Sequence, residues 1–161
     1  MSENSTISIA PARLPDDIET VRGLFREYID SLGIDLSFQD VEAELADLPG
    51  KYAQPAGIIL LARDNNGEAL GCIALRPMGE SGAAEMKRLY VRPEARGHNL
   101  GRRLVVEIMD YARSIGYKRV VLDTLATLYS ARKLYASLDF DEIEAYYDNP
   151  RTDVIYLGRA L

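Results

Sequence analysis

A short segment in the middle of the chain combines glycines with a concentration of positive charge. Residues 96–103 read Arg-Gly-His-Asn-Leu-Gly-Arg-Arg, and apolar side chains then recur three or four residues apart, as in a helix buried along one face. The start of a helix offers unpaired backbone N–H groups and the positive end of its dipole, and glycine lets a ligand approach the backbone. The segment therefore predicts a phosphate-binding loop, and a solvated helix start is the alternative.

Two side chains could transfer protons, one shortly before this loop in the sequence and one on a later predicted helix. Glu85 lies in the extended run 83–91, and Tyr135 lies in a helical pattern. An alkylammonium has a pKa of roughly 10 and must lose a proton before it can attack a carbonyl carbon, so chemistry of that kind would require a base. A phenol, with a pKa also near 10, can protonate a leaving group. The alternatives are an ion pair of Glu85 with Lys87 or Arg88 and a core tyrosine.

The hydrophobic pattern predicts the elements that position these residues. Strands are expected near 7–11, 57–63, 68–76, 83–91, 120–122, 140–145 and 154–157, and helices near 17–32, 37–48, 100–115 and 130–138. Asp16 or Asp17 would cap the first helix, Ser37 would cap the second, and Gly33 would end the first. Asn66-Gly67 predicts a tight hairpin between the second and third strands. The 161 residues, 47% of them hydrophobic, fit one compact domain covering 1–161.

Charge is distributed unevenly along the chain. Residues 1–80 carry 6 Lys/Arg and 14 Asp/Glu, whereas residues 81–161 carry 13 and 11, and the net charge is −6. A nucleic acid partner requires a broad basic face, so none is expected, whereas a small anion bound by the second half is compatible with this distribution. No apolar run approaches the roughly 20 residues of a membrane span and the first residues lack the pattern of a secretory signal, so a cytoplasmic protein without a membrane partner is expected.

Cysteine and histidine are too few for a disulfide framework or a metal site. Cys72 is the one cysteine and lies in an apolar run, where a buried structural thiol is expected. His98 is the one histidine and has no ligand partners at suitable spacing, so no metal is expected, and its backbone N–H is the group assigned to the phosphate loop.

The segment Arg96-Gly97-His98-Asn99-Leu100-Gly101 resembles the pyrophosphate-binding motif Q/R-x-x-G-x-G/A of the GNAT superfamily, the acetyl-CoA-dependent N-acetyltransferases. Asn99 stands in place of the first motif glycine, and asparagine tolerates the left-handed backbone that such a glycine often supplies. The predicted order β-α-α-β-β-β-α-β-α-β-β is also that of the GNAT fold. The resemblance therefore implies a mixed α/β fold over nearly the whole chain, with a mostly antiparallel twisted sheet of six or seven strands and about four helices.

A second segment, 131–140, resembles the A-x-x-L-Y-x-x-L-G-F helix of the same family, with Asp139 in place of the usual glycine. In the family the hydroxyl of the tyrosine, here Tyr135, lies near the sulfur of coenzyme A, which implies a general acid. The position of Glu85 resembles that of the family's base, which acts directly or through a water. The residues that the resemblance assigns to acetyl-CoA are Leu89, Tyr90, Val91, Arg96, Gly97, His98, Asn99, Leu100, Gly101, Arg102, Ser130 and Arg132.

The chain also looks like a bacterial subgroup of GNAT proteins whose substrate the resemblance does not identify. The shared segments are 35–39, 48–52, 122–124 and Tyr146-Tyr147-x-Asn149-Pro150. By this similarity, the acceptor side of the cleft would include Phe38, Gln39, Tyr52, Tyr146 and Tyr147, and Glu27 is a further substrate candidate because of its charge. Ordinary packing of aromatic side chains in loops is the alternative for these residues.

Two functions remain open from the sequence. The first is an enzyme that transfers an acetyl group from acetyl-CoA to a primary amine of a small molecule or peptide by direct attack in a ternary complex. The second is a non-catalytic acyl-CoA sensor, and either could be a homodimer. The acidic first half would attract a cationic acceptor, with candidate side chains Glu27, Asp35, Asp40, Glu42 and Glu44, although solvated helix faces would have the same composition.

Overall fold

Seven strands and four α-helices lie within residues 6–34, 40–79 and 82–161, the parts of the chain that the computed structural model describes. The strands are β1 (Ser8–Pro11), β2 (Ile58–Arg63), β3 (Ala69–Met78), β4 (Ala83–Val91), β5 (Arg119–Leu125), β6 (Asp141–Ile143) and β7 (Val154–Ala160). The helices are α1 (Ile18–Leu32), α2 (Val41–Ala46), α3 (Leu100–Ser114) and α4 (Tyr129–Ser137). The predicted fold class and element order are confirmed.

The strands form one sheet in the order β1-β2-β3-β4-β5-β7-β6. Neighbouring strands are antiparallel except for β4 and β5, which are parallel. Their pairing covers only three positions and ends where Glu85 of β4 lies opposite Val121 of β5. Beyond that point each strand remains paired to its outer neighbour, so the sheet divides along the line between β4 and β5.

The helices cover the two faces of this sheet and bury separate hydrophobic clusters. Alternate residues of a strand point to opposite faces. Ile73 and Leu75 of β3 accordingly pack in the cluster that contains α3 and α4, whereas Cys72 and Ala74 pack against α1. Cys72 is fully buried and its thiol donates to the carbonyl of Arg88, 3.3 Å away. Burial raises the pKa of this thiol, which fits the structural role expected of it.

Several element boundaries differ from those expected from the hydrophobic pattern. β5 was expected to end at 122 because Asp123 and Thr124 are polar, but it continues to Leu125 since β7 pairs with it over its whole length. β3 and β7 also extend further than expected, and β6 is shorter. Helix α2 begins at Val41, and Ser37, its expected cap, lies outside the described residues.

Asp17 occupies the N-cap position of α1, as expected, but it does not cap the helix with its side chain. Its Oδ2 accepts a hydrogen bond from the backbone N–H of Arg13 at 2.7 Å, and its Oδ1 accepts one from Nη2 of Arg63 at 2.9 Å. These contacts, the backbone one first, hold the pKa of Asp17 below its usual value of 3.8. Asp17 therefore joins the start of α1 to strand β2.

Replacing this carboxylate should lower stability in a pH-dependent way. A carboxylate with a lowered native pKa contributes stability above its unfolded pKa, and this contribution is lost as the pH falls through the native pKa. We expect Asp17→Asn to reduce the free energy of unfolding by about 1 to 3 kcal/mol at pH 7 and by progressively less toward pH 3. Urea unfolding at a series of pH values measures this difference. Asp16→Asn is the control because Asp16 is exposed, and equal losses in both variants would contradict the role of Asp17.

Candidate active site

The division of the sheet opens a cleft of about 840 Å³ between β4 and β5. Its walls come from residues 86–91 of β4, residues 122–125 of β5, the start of α3, much of α4, and the end of α1 with Ile34 after it. The short β4–β5 pairing is what opens this space, because two strands that stayed paired would leave no room between them. The elements carrying the predicted cofactor loop and the two predicted proton-transfer residues all meet around this division.

A bulge shapes the β4 wall of the cleft. The β3–β4 register shifts between Cys72 and Ala74, and Arg88 on β4 has a φ of +63°. A long side chain rarely adopts this backbone conformation. Arg88 is 5% exposed, and its Nε and Nη2 each donate to a carboxylate oxygen of Glu44 at 3.0 Å, which stabilises the bulge from α2. Burial lowers the pKa of Arg88, but the adjacent charges and the Glu44 hydrogen bond together raise it above its usual value.

The next three residues of β4 are those predicted to contact acetyl-CoA through their backbone. Leu89, Tyr90 and Val91 all border the cleft. Because the β4–β5 ladder ends at Glu85, no strand of the described residues pairs with this edge of β4. Backbone N–H groups on such an edge can stabilise negative charge on a carbonyl oxygen.

The predicted phosphate loop enters the cleft with the backbone geometry expected of it. Gly97 has a φ of +91° and Asn99 a φ of +57°, so asparagine does adopt the left-handed conformation for which the motif usually has glycine. Helix α3 begins at Leu100 and has no side-chain cap. Along α3, Arg103 is the first residue whose backbone N–H donates to a backbone carbonyl, that of Asn99 at 3.0 Å. The earlier N–H groups of the helix therefore remain for a ligand.

The basic side chains around the loop fall into two groups. Arg96 and Arg102 border the cleft, as do Gly97, Asn99, Leu100 and Gly101. Arg103 points elsewhere and donates to the carbonyl of Ile7 at 2.9 Å. His98 is exposed and lies outside the cleft lining. Two of the three arginines in residues 96–103 therefore border the cleft.

Helix α4 contributes the opposite wall. Ser130 borders the cleft, whereas Arg132 instead donates to the carbonyl of Ala126 at 2.7 Å and so holds the turn before the helix. After α4, Asp139 has a φ of +68°, and the chain then places Phe140 against Tyr135 with ring centroids 5.8 Å apart. Aspartate therefore tolerates the conformation of the glycine it replaces, as the sequence predicted.

Tyr135 borders the cleft while being 6% exposed. Its hydroxyl makes no hydrogen bond to any other described residue, and burial raises its pKa, so the phenol keeps its proton at neutral pH. A second phenol, Tyr28 of α1, also borders the cleft and packs against Tyr90, with centroids 6.1 Å apart. Burial raises the pKa of Tyr28 to about 12.

Glu85 lies behind the cleft wall. It is 1% exposed, and its Oε1 accepts a hydrogen bond from Nε of Arg76 at 2.8 Å, while its Oε2 accepts one from the hydroxyl of Tyr146 at 2.7 Å. The ion pair is made with Arg76 of β3, and neither Lys87 nor Arg88 is its partner. Each oxygen of Glu85 therefore already accepts a hydrogen bond, and neither Glu85 nor its partner Tyr146 belongs to the cleft lining.

Asp123 of β5 is the carboxylate that borders the cleft directly. Its Oδ2 accepts a short hydrogen bond from the hydroxyl of Tyr147, which in turn accepts one from Nδ2 of Asn149 at 2.8 Å. The rings of Tyr146 and Tyr147 lie 5.6 Å apart and both contact Tyr156 edge-on. One loop thus supplies a hydroxyl to each of the two carboxylates beside the β4–β5 division.

The other residues predicted for the acceptor side fall into different places. Tyr52 is buried against Phe25, with centroids 5.9 Å apart, and does not border the cleft. Glu27 accepts hydrogen bonds from Nη2 of Arg92 at 2.6 Å and from the hydroxyl of Tyr90 at 3.3 Å. Phe38 and Gln39 lie outside the described residues.

Arginines neutralise most of the acidic side chains expected to attract a cation. Besides Glu27, Glu42 pairs with Arg26 at 2.6 Å and Glu44 pairs with Arg88. Asp40 is exposed, and Asp35 lies outside the described residues. The charged side chains that border the cleft are Lys87, Arg88, Arg96, Arg102 and Arg151, against the one carboxylate of Asp123. Arg88 and Arg151 are paired with Glu44 and Asp153, and Arg96 and Arg102 belong to the predicted cofactor loop. Outside that loop, the charged side chains of the described cleft lining without an ion-pair partner are therefore Lys87 and Asp123.

Sequence reasoning did not assign several residues that border the cleft, namely Tyr28, Lys87, Asp123, Asn149 and Arg151. A signal existed for Asp123 and Asn149, because both lie in segments that the chain shares with the bacterial subgroup. Lys87 could have been found from the period of a strand, since it follows Glu85 by two residues and so points to the same sheet face.

Comparisons with known proteins agree with this architecture. Residues 22–140 match the acetyltransferase (GNAT) family. An uncharacterised N-acetyltransferase of Schizosaccharomyces pombe is 50% identical over 157 residues, which cover 98% of this chain and 96% of that protein. A GNAT acetyltransferase structure from Staphylococcus aureus superposes with a TM-score of 0.80 at 19% identity, covering 96% of this chain and 99% of that one. The structure of PaiA N-acetyltransferase of Thermoplasma acidophilum, solved in complex with coenzyme A, superposes with a TM-score of 0.76 at 18% identity. The match covers 97% of this chain and 99% of that one.

The chain belongs to the acetyltransferase (GNAT) family, and the predicted enzyme class, N-acetyltransferase, is confirmed. The resemblance is not confined to bacteria, because the half-identical relative comes from fission yeast. Among residues 6–34, 40–79 and 82–161, no three His, Cys, Asp or Glu side chains are grouped as metal ligands. No helix in that part of the chain has the length and apolar character needed to cross a membrane.

Proposed function

We propose that the protein transfers an acetyl group from acetyl-CoA to a primary amine of a small molecule or peptide, by direct attack in a ternary complex. The observation that carries this proposal is that one cleft is bordered by an uncapped helix start, a free strand edge and the phenol of Tyr135. The helix start suits a pyrophosphate, and the strand edge suits the carbonyl oxygen of a thioester. The phenol suits a leaving thiolate, which needs a proton.

The residues of the cleft fit coenzyme A as co-substrate. The left-handed backbone at Gly97 and Asn99 and the open N–H groups of α3 form an anion site, and Arg96 and Arg102 add positive charge to it. Ser130 of α4 would complete the binding set. When bound, acetyl-CoA supplies an activated acetyl group as a thioester. The backbone N–H groups of residues 89–91 would stabilise the negative charge that develops on the acetyl oxygen.

Proton transfer is assigned to side chains on the two sides of the cleft. Asp123 is the carboxylate in position to bind the ammonium of the acceptor and to pass its proton to water, with Tyr147 fixing its orientation. Glu85 remains a proposed base that acts through a relay such as Tyr146 or a water, because it is 1% exposed and does not itself border the cleft. Tyr135 would donate its proton to the departing thiolate, and its raised pKa keeps that proton in place until then.

Release of free thiol from acetyl-CoA across a panel of primary amines tests this function. An N-acetyltransferase should release thiol in proportion to the N-acetylated amine formed, which mass spectrometry identifies. An acyl-CoA sensor would bind the cofactor, as seen by calorimetry, without releasing thiol above the rate without enzyme. Binding without thiol release, obtained with a panel that covers neutral, cationic and anionic amines, would contradict the proposed transfer to a primary amine.

A further inference from the structure

Lys87 lies at the point where the sheet divides, on the side that faces α1. It pairs with Ala74 of β3 and follows Glu85 by two residues, so Glu85, Lys87 and Ala74 share one face of the sheet. Ala74 belongs to the cluster under α1 and α2, which identifies that face. Because the β4–β5 ladder has ended two residues earlier, the side chain of Lys87 borders the cleft.

The charged residues on either side of Lys87 in β4 have ion-pair partners, whereas Lys87 has none among the described residues. Glu85 is bound by Arg76, and Arg88 by Glu44. Within residues 6–34, 40–79 and 82–161, no carboxylate lies within ion-pair distance of the Lys87 ammonium, although Glu85 and Asp123 are near enough to act on it electrostatically. Burial lowers the pKa of Lys87 because the ammonium loses water. Lys87 itself is half-buried, and a partly dehydrated cation that lacks an ion-pair partner is stabilised by a bound anion.

The other cations that border the cleft are already engaged. Arg151 is bound by Asp153, with Nη2 and Oδ2 2.6 Å apart. Arg96 and Arg102 lie at the loop assigned to the cofactor. Lys87 is therefore the cation left for the acceptor, and Asp123 lies across the division from it on β5.

We propose that the acceptor amine also carries an anionic group, and that Lys87 binds this group while Asp123 binds the ammonium. The class of acceptor is thus a zwitterion such as an amino acid, with a carboxylate or a phosphonate as the anion. This inference rests on the proposed acetyl transfer and specifies its acceptor. Two opposite charges on the protein, on strands that have separated, would hold a small zwitterion in one orientation, with its amine beside Asp123.

The test compares three acceptors of the same chain length: an aminoalkyl carboxylate, its carboxamide and an aminoalkyl phosphonate. We expect kcat/KM for either anion to exceed that for the carboxamide by about tenfold or more, since a hydrogen bond to a charged group has that effect. The carboxylate and phosphonate arms identify which anion is preferred. Lys87→Gln should reduce the ratio of anionic to neutral acceptor by about tenfold, whereas Lys87→Arg should retain most of it.

Lys133→Gln is the matched control, because Lys133 is an exposed lysine of α4 outside the cleft lining and should leave the ratio as it is. A ratio near or below one in the native protein would overturn the proposal, as would an equal loss for both acceptors in Lys87→Gln, which would indicate a structural role. If no amine releases thiol, the proposed function fails. Calorimetric binding of the carboxylate to the coenzyme A complex, lost in Lys87→Gln, would then still support the anion site, and its absence would refute it.

Discussion

Tyr135→Phe should lower kcat by roughly ten- to a thousandfold while leaving the affinity for coenzyme A nearly unchanged. The variant keeps the aromatic ring, which packs against Phe140, and removes only the hydroxyl that borders the cleft. A proton donor that acts only as the carbon–sulfur bond breaks affects the rate and leaves ground-state binding intact. Steady-state kinetics with saturating acetyl-CoA, together with calorimetry of coenzyme A binding, measure the two quantities separately.

Tyr28→Phe discriminates between the two phenols of the cleft, because it removes the same group from the facing wall. If Tyr28→Phe slows turnover more than Tyr135→Phe does, the general acid is Tyr28 and the assignment is wrong. The pH profile adds a second criterion. Since burial raises the pKa of Tyr135, ionisation of this phenol should cause no loss of kcat in the native enzyme below about pH 10.

The sequence predicted the parts of the site whose geometry depends on local backbone preference. Asn99 and Asp139 replace motif glycines and both adopt positive φ, at +57° and +68°, because their short polar side chains tolerate the left-handed region. Helix α3 has its apolar face where the three- and four-residue spacing indicated it. For such features, the residue type itself carries the structural information.

The bulge at Arg88 could not be predicted in the same way. Nothing in its neighbourhood marks a long basic side chain for a φ of +63°, and the residue that binds it, Glu44, lies 44 positions away in the chain. The position of Lys87 opposite Asp123 has a similar origin, since it depends on β4 and β5 pairing for three positions and then separating. These arrangements come from tertiary contacts, which a hydrophobic pattern does not encode.

Tertiary contacts also decide which of the acidic side chains of the first half can act on a ligand. Counting acids in the first half does not reveal that Glu27, Glu42 and Glu44 each pair with an arginine. Arg88 and Arg92, two of those arginines, are among the 13 basic residues of the second half of the chain. Charges that neutralise one another across the fold produce little field in the cleft, so the unpaired side chains that border it, such as Lys87 and Asp123, matter most there.

Arg96→Glu should weaken the binding of coenzyme A by about 2 to 3 kcal/mol, which corresponds to a 30- to 150-fold higher Kd. Arg96 borders the cleft next to the open N–H groups of α3, so the substitution places a carboxylate where a pyrophosphate would bind.

Gly97→Val should also weaken the binding of coenzyme A, for a different physical reason. An added Cβ at Gly97 meets no atom within 4 Å, so the cost comes from the backbone, whose φ of +91° a β-branched residue does not tolerate.

Arg103→Glu is the matched control for the charge reversal. It makes the same change in the first turn of α3, but Arg103 is turned toward the carbonyl of Ile7 and lies outside the cleft lining. Because Arg103 is turned away from the cleft, we expect charge reversal there to raise Kd less than charge reversal at Arg96. Calorimetric titration of each variant with coenzyme A provides the comparison. If Arg96→Glu and Arg103→Glu weaken binding equally, the effect is one of general charge, and if folded Arg96→Glu binds as tightly as the native protein, the loop is not the pyrophosphate site.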